Sequence, residues 1–111
     1  MQYDSTRIYR RSLELVELTR TIIVDLPSGY GFLADHLRRA SSSIPLNFAE
    51  GYGKHTARDQ RRFFIIARGS ANEVAAAVDV AQSFGVIQSE HHIRGRELCD
   101  HLARMLTLFR R

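Results

Sequence analysis

Apolar residues recur at intervals of three and four in four long stretches of this chain, separated by short polar or glycine-containing segments. That spacing places the apolar side chains on one stripe of an α-helix. No stretch alternates apolar and polar residues, and no Asn-Gly or Asp-Gly pair indicates a hairpin. The pattern therefore predicts an all-α protein. Its helices are expected over residues 5–26, 32–52, 57–84 and 89–110.

Residues that favour helix termini mark the ends of these segments. Asp4 or Ser5 is positioned as the N-cap of the first helix, and Thr56 as that of the third. Gly85 is placed to end the third helix, with Val86 making the apolar contact of a Schellman motif. Three short connections between helices of roughly 30 Å predict an antiparallel up-down-up-down four-helix bundle.

Pro45 lies inside the second helical segment, where it removes an amide donor and crowds the carbonyl of Ser41. The apolar stripe nevertheless stays in phase on both sides of the proline. This stripe consists of Leu33, Leu37, Ala40, Ile44 and Phe48. We therefore expect one helix, kinked at Pro45, rather than two. The corresponding stripe of the third segment consists of Phe64, Ala67, Ala71, Val74, Val78 and Ala81.

The length of 111 residues fits one domain, residues 1–111. Cys99 is the one cysteine, which excludes an intramolecular disulfide and a multi-cysteine zinc site. The chain has no run of 18 apolar residues and no apolar core of a signal peptide near its start, so we expect a cytoplasmic protein without membrane association. The broad apolar surfaces of the first and third helices fit either a homo-oligomer or a wide intramolecular core.

Basic residues are concentrated in the middle of the chain. Residues 38–68 carry a net charge of +5, whereas residues 1–37 carry −1 and residues 69–111 carry none. All cations except Lys54 are arginines, and guanidinium groups suit bidentate phosphate recognition. The residues of this basic strip are Arg38, Arg39, Lys54, Arg58, Arg61, Arg62 and Arg68. The pattern fits a nucleic-acid-binding surface or an ordinary solvated helix face.

Other candidate sites lack the spacing that their chemistry requires. The glycine-rich segment 51–56 departs from a phosphate loop, because Phe48 stands where its first glycine is needed. The histidines and Cys99 of the fourth helix do not have zinc-ligand spacing, so we expect no metal and no cofactor.

A polar position on the inner stripe of the second helix needs a hydrogen-bonding partner. Asn47 occupies that position, and Ser70 and Glu73 of the third helix are its candidate partners. One interpretation is a structural polar network of Asn47, Glu50, Ser70 and Glu73 that fixes helix register. The other is a catalytic cluster built on Asn47, Glu50 and Glu73. We favour the network, because no catalytic signature accompanies these residues.

Three segments of the second and third helices together carry a family resemblance. They read GFLADHLRRA at 31–40, SIPLNFAEGYG at 43–53 and FFIIARGSANE at 63–73. This pattern resembles the four-helix bundle proteins encoded in intervening sequences of bacterial 23S rRNA genes. It is also similar to the accessory variability determinants of diversity-generating retroelements. The matching signature residues are Arg38, Arg39, Ser43, Pro45, Asn47, Glu50, Gly51, Gly69, Ser70 and Glu73.

The resemblance implies a homopentameric four-helix bundle with a basic surface and no established enzymatic activity. It implies an RNA-related role for the members encoded in rRNA genes, and binding to nucleic acid and a reverse transcriptase for the retroelement relatives. Two departures are the absence of tryptophan near the start of the first helix and the presence of Phe48 where a smaller aliphatic residue is usual.

The sequence thus predicts a non-enzymatic, homo-oligomeric protein that binds RNA or DNA through its basic strip. The alternative is a protein-interaction scaffold, such as an accessory subunit of a reverse transcriptase, whose arginines meet acidic side chains of the partner.

Overall fold

Four α-helices form the protein in the computed structural model, which describes residues 2–110. They are α1 (Arg7–Asp25), α2 (Gly31–Tyr52), α3 (Ala57–Ser83) and α4 (Ser89–Leu108), and a short 3-10 helix, Tyr3–Ser5, precedes them. No strand occurs between residues 2 and 110. Every helix terminus lies within two residues of its predicted position. The all-α prediction is therefore confirmed.

Each helix packs against its neighbours in the chain, and α1 also packs against α4. The side-chain pairs that join the helices include Thr19–Ser41, His36–Glu73, Ser43–Ser70, Arg68–Thr107, Asp79–His92 and Glu14–Arg94. In these pairs, residues early in α2 contact residues late in α3, so α2 and α3 are antiparallel. The pairs between α3 and α4 show the same antiparallel relation. The helices therefore form the predicted up-down-up-down bundle, with overall dimensions of 45 × 21 × 21 Å.

The predicted stripes of α2 and α3 form the centre of the core, and every residue of both stripes is buried. On α1, Leu15 and Ile22 are fully buried, as expected for the same periodicity. On α4, Leu98 and Leu102 are buried, whereas Phe109 is half-buried beyond the end of the helix. The core thus follows the 3.6-residue period of the sequence closely.

Cap residues fix both ends of α3 as predicted. The Thr56 hydroxyl accepts a hydrogen bond from the Asp59 N–H at 3.1 Å. At the other end, Gly85 adopts a φ of +72°, and the Val86 N–H donates to the Ala81 carbonyl at 3.0 Å. The Gly85 N–H donates to the Gln82 carbonyl at 2.9 Å, which completes a Schellman motif.

The N-cap of α1 differs from the prediction of Asp4 or Ser5. Thr6 is the N-cap, and its hydroxyl accepts a hydrogen bond from the Tyr9 N–H at 3.2 Å. The cause is the preceding 3-10 helix, which includes both Asp4 and Ser5 and moves the start of α1 along the chain. Thr6, the next residue in the chain that can cap a helix, therefore becomes the N-cap of α1.

α2 continues without a break through Pro45, which is buried. The expectation of one helix rather than two is confirmed. The Ser41 hydroxyl, one turn before the proline, accepts a hydrogen bond from the Thr19 hydroxyl at 3.1 Å and links α2 to α1. None of the helices between residues 2 and 110 has an apolar stretch long enough to cross a lipid bilayer.

Candidate nucleic-acid interface

The antiparallel topology brings three separated segments to one end of the bundle. They are the start of α1, the connection between α2 and α3, and the end of α4. The Phe109 ring packs against Phe48, Tyr52 and Phe64 at centroid distances of 5.3 to 6.1 Å, which joins the end of α4 to α2 and α3. The start of α1 lies beside the same ring, because Thr6, Arg7 and Ile8 line a surface cavity with Phe109. Residues 2–14, 48–65 and 101–110 contain nine Lys and Arg but only four Asp and Glu. We call these three segments the basic end.

The opposite end of the bundle has the reverse charge. It comprises residues 21–35 and 79–93, which contain four acidic residues and no Lys or Arg. The two segments are in contact, because the Tyr30 and Phe84 rings lie 5.5 Å apart. We call them the acidic end. The protein is therefore polarised along the bundle axis, and its formal charge of +4 is unevenly distributed.

Three of the predicted basic-strip residues lie together where α3 begins. Arg58 and Arg62 are exposed. The Arg62 guanidinium carbon lies 4.8 Å from the centroid of the half-buried Phe63 ring, and Lys54 Nζ lies 5.3 Å from it. Lys54 also bonds to Glu50 at 3.1 Å. The Phe63 ring thereby holds two cations near each other on the surface of the basic end.

Arg61 and Arg68 instead extend towards α4. Arg61 Nη1 donates to the Leu106 carbonyl at 3.2 Å and to that of Thr107 at 3.5 Å. Arg68 Nη1 donates to the Thr107 hydroxyl at 3.1 Å. The last carbonyls of a helix have no partner within the helix and carry partial negative charge, so a guanidinium group stabilises them. These two arginines support the end of α4.

Arg38 and Arg39 form a separate pair halfway along α2. Arg38 lies 3.5 Å from Asp35, and Arg39 lies 3.4 Å from Glu73. Glu73 also bonds to His36 at 3.1 Å. The fold therefore does not bring the seven predicted cations into one strip. It divides them among the start of α3, the α3–α4 contact and the middle of α2.

Five cations of the basic end were absent from the sequence prediction. They are Arg7, Arg10, Arg11, Arg104 and Arg110. Acidic residues in the same thirds of the chain balance their charge, so the charge count by segment did not reveal them. The antiparallel order of the helices was the available signal, because it places residues near both termini beside the α2–α3 connection.

His101 on α4 lies near several of these arginines. Partial burial lowers the pKa of this imidazole below its ordinary value of 6.5, and nearby positive charges lower it further. Those charges belong to Arg7, Arg11, Arg104 and Arg94. Glu14 offsets part of the field, because its carboxylate bonds to both Arg11 and Arg94. The α1–α4 side of the basic end therefore remains positive.

A family model for the 23S rRNA-intervening sequence protein matches residues 4–108, which include all four helices. The chain belongs to this family. A search of curated proteins gave no significant match. The resemblance to proteins encoded in 23S rRNA intervening sequences is thus confirmed, while the similarity to retroelement determinants stays a prediction.

In this member of the 23S rRNA-intervening sequence protein family, the predicted polar residues belong to different groups. Asn47 Nδ2 donates to the carbonyl and the hydroxyl of Ser43, both at 2.9 Å. The Ser70 hydroxyl donates to the Ser43 hydroxyl at 2.8 Å, so Ser43 connects Asn47 with α3. Glu50 pairs with Lys54, and Glu73 pairs with His36 and Arg39. Asn47 and Ser70 thus meet through Ser43, whereas Glu50 and Glu73 pair with other residues, so the four residues do not form one network.

The signature glycine Gly51 has a packing reason. A Cβ at this position would lie 2.8 Å from Phe63 Cβ and 2.8 Å from Phe64 Cε1. Such distances are too short for ordinary packing, so the close contact between α2 and α3 requires glycine. Phe48, the departure from the family pattern, stacks on Phe64 at a centroid distance of 5.4 Å and fills the core beside this contact.

The fourth helix offers little reactive chemistry. Cys99 is buried, and burial raises the pKa of its thiol to about 12, so the thiol stays protonated at neutral pH. His92 Nε2 lies 2.7 Å from Asp79, which also bonds to Arg96 at 2.8 Å. No three His, Cys, Asp or Glu side chains in the described part of the chain are grouped as metal ligands.

Proposed function

We propose that this protein binds nucleic acid through its basic end, without catalysis, in an RNA-related cytoplasmic role. The observation that carries the proposal is the convergence of nine Lys and Arg from three separated segments on one end of the bundle. Clustered arginines neutralise phosphates and release counterions, which supplies affinity with little dependence on base sequence. The family description, which names an intervening sequence of 23S rRNA, supports RNA as the first ligand to test.

The exposed cations of the basic end are the best candidates for direct contact. They are Arg7, Arg10, Arg58, Arg62, Arg104 and Arg110. Arg38 and Arg39 lie outside this end and would contact only a longer nucleic acid that extends along α2. Arg61 and Arg68 already bond to α4, so their substitution would change the fold as well as the charge.

We also propose that the protein is a homo-oligomer, and the resemblance gives five as the number of copies. Its support is the exposed apolar side of α3, where Ile65 and Ile66 are each almost half exposed. Leu46 of α2 is 68% exposed. Gly69 lies on this side with no atom within 4 Å of an added Cβ, so packing within the chain does not explain a glycine there. Close approach of a second copy would explain it.

Fluorescence anisotropy over a salt series tests the nucleic-acid proposal. The ligands are a single-stranded RNA, a DNA duplex and an RNA–DNA hybrid of matched length. We expect affinity to fall steeply with salt, with a log–log slope of about −0.7 for each neutralised phosphate of a single strand. The variant Arg58→Glu/Arg62→Glu should lose most of the binding and reduce that slope.

The matched control is Arg20→Glu/Arg38→Glu, which makes the same change of net charge at two exposed arginines outside the basic end, with oligonucleotides too short to extend along α2. It should retain most of the affinity. Equal losses in both double variants would show that overall charge, rather than the basic end, determines binding. Absence of binding by the unmodified protein at low salt would contradict the proposed function itself.

The scaffold interpretation is the second candidate, and the exposed aromatic rings of the acidic end favour it. Phe32 and Phe84 are each about half exposed and lie 6.0 Å apart, and contiguous exposed apolar surface is typical of interaction sites. A reverse transcriptase subunit is one such partner. Co-purification of a protein that persists after nuclease treatment would support this candidate.

A further inference from the structure

Three aromatic rings form an exposed triangle at the acidic end. Tyr30 lies in the α1–α2 connection, Phe32 in the first turn of α2, and Phe84 at the end of α3. Their centroids are 5.5 to 6.0 Å apart, so each ring contacts the other two. Phe32 remains 49% exposed and Phe84 55% exposed. Aromatic side chains held together on a surface are characteristic of the centres of protein interfaces.

A groove leads away from this triangle between α2 and α3. Its apolar walls come from Phe32, Leu33, Ala77 and Val80, and its far side is polar. The polar side consists of His36 and Glu73, which bond to each other. The volume is about 230 Å³, which is smaller than a typical small-molecule site and suits a single inserted side chain.

The charge around the triangle limits what can bind there. Asp35 lies one turn after Phe32, and Asp25 lines the surface cavity that includes Gly85, next to Phe84. Both carboxylates are exposed, and neither segment of the acidic end contains Lys or Arg. Arg38, beyond the edge of this surface, lies 3.5 Å from Asp35, so a cation of a docked partner would share that carboxylate with it. Single-stranded RNA could stack its bases on exposed rings, but its phosphates would be repelled by these carboxylates.

We propose that the acidic end docks a cationic amphipathic helix of another protein. One aliphatic or aromatic side chain of that helix enters the groove between Phe32 and Val80. Its Lys or Arg side chains lie against Asp25 and Asp35. Charge complementarity selects this partner over nucleic acid, and the rings supply the apolar contact. The scaffold interpretation rests on the same rings, and docking of such a helix gives it a partner of stated chemistry. This docking is separate from the proposed nucleic-acid binding, so the basic end stays available while a partner is docked.

The test uses the full chain and three fluorescein-labelled synthetic peptides of equal length. The first is a Lys/Leu amphipathic helix, the second has Glu in place of Lys, and the third has Ser in place of Leu. We expect only the Lys/Leu peptide to bind. The variant Phe32→Ser/Phe84→Ser should weaken its binding by about tenfold or more, as expected for paired aromatic hot spots.

The control variant Leu13→Ser/Leu108→Ser changes two exposed apolar residues of the basic end, one on α1 and one on α4, and should bind the peptide normally. Circular dichroism checks that both double variants fold. Unchanged peptide affinity in Phe32→Ser/Phe84→Ser would overturn the proposal, and so would equal binding of the Glu/Leu peptide.

Two further measurements on Phe32→Ser/Phe84→Ser separate the rival occupants of this surface. Light scattering gives the mass of the particle, and a decrease would show that the triangle joins copies of this chain instead. Anisotropy with single-stranded RNA gives nucleic-acid affinity, and a loss would show that the rings stack bases. Either result would overturn the proposal, whereas unchanged mass and RNA affinity together with lost peptide binding would support it.

Discussion

The two ends of the bundle contain similar aromatic clusters that differ in what covers them. At the basic end, Phe48, Phe64 and Phe109 pack together at centroid distances of 5.3 to 5.5 Å, and the first two are buried. At the acidic end, Phe32 and Phe84 lie 6.0 Å apart and remain about half exposed. Ring-to-ring distances are alike, so the contacts alone do not distinguish the clusters.

The difference lies in how the helices close around the rings. Phe48 and Phe64 belong to the inner stripes of α2 and α3, and Phe109 covers them from beyond the end of α4. Phe32 and Phe84 lie at helix ends, where no further segment of residues 2–110 covers them. A buried cluster contributes its free energy to folding, whereas an exposed one keeps it available for binding.

Replacement of one ring in each cluster by alanine should give the largest difference in stability between the two ends. We expect Phe48→Ala to lower the free energy of unfolding by about 3–5 kcal/mol, because it leaves a cavity in the core. Phe84→Ala should cost less than about 1 kcal/mol, since more than half of its ring is already in water. Urea unfolding measures both, and similar losses would show that the two clusters stabilise the fold equally.

Two glycines extend the comparison, because Gly51 is enclosed by aromatic side chains and Gly69 is open. Gly51→Ala should lower the free energy of unfolding by about 1–3 kcal/mol, because the added methyl group meets Phe63 and Phe64. Gly69→Ala should stabilise α3 in the isolated chain by up to about 1 kcal/mol, through helix propensity. Urea unfolding under conditions where the protein is monomeric compares the two.

Light scattering gives Gly69→Ala a second readout. If a copy of the chain packs against this side of α3, the added methyl group should reduce the particle mass. An unchanged mass would remove the support that Gly69 gives to self-association.

Arg61 should matter more for structure than its exposed neighbour Arg58. We expect Arg61→Gln to cost about 1 kcal/mol, because the last carbonyls of α4 lose a charged donor. Arg58→Gln should stay within about 0.5 kcal/mol. Hydrogen exchange near the end of α4 should accelerate only in Arg61→Gln. Equal exchange in both variants would show that the two arginines are equivalent.

His101 offers the smallest effect and reports on the field of the basic end. Its folded pKa is lowered, so its contribution to stability is present above pH 6.5 and is lost as the pH falls through the folded pKa. The free energy of unfolding of His101→Gln should therefore decrease less on acidification than that of the unmodified protein. NMR titration of the imidazole provides the direct measurement, and Arg7→Gln should raise its pKa. An unchanged His101 pKa in Arg7→Gln would contradict the contribution assigned to Arg7.

The sequence predicted the helices well because their apolar stripes recur with a single period. The stripe through Pro45 and the Schellman motif at Gly85 could both be predicted from residues close to them in the sequence. The N-cap of α1 was not, since Asp4, Ser5 and Thr6 are all suitable capping residues and only the 3-10 helix selects among them.

The candidate site was predictable only in part. Arg58 and Arg62 were visible as a local cluster, but the contribution of Arg7 and Arg104 depends on which segments the fold brings together. The direction of the Arg61 side chain towards α4 depends on the rotation of α3 about its own axis, which a count of charges does not contain. The partner of Asn47 was missed for a different reason. Ser43, one turn away on the same helix, accepts both hydrogen bonds of its amide, so Asn47 does not need a partner on α3.

The order of helices around the bundle also determines how the chain reaches this structure. Three of the four helix–helix contacts join elements adjacent in sequence, so short loops close them at little entropic cost. Only the contact between α1 and α4, where Arg94 meets Glu14, brings together residues 80 positions apart, and it is the smallest of the four. Local pairing speeds the folding of such a topology. We therefore expect the docking of α4 on α1 to close the bundle last, and the same contact to open first when the protein is destabilised.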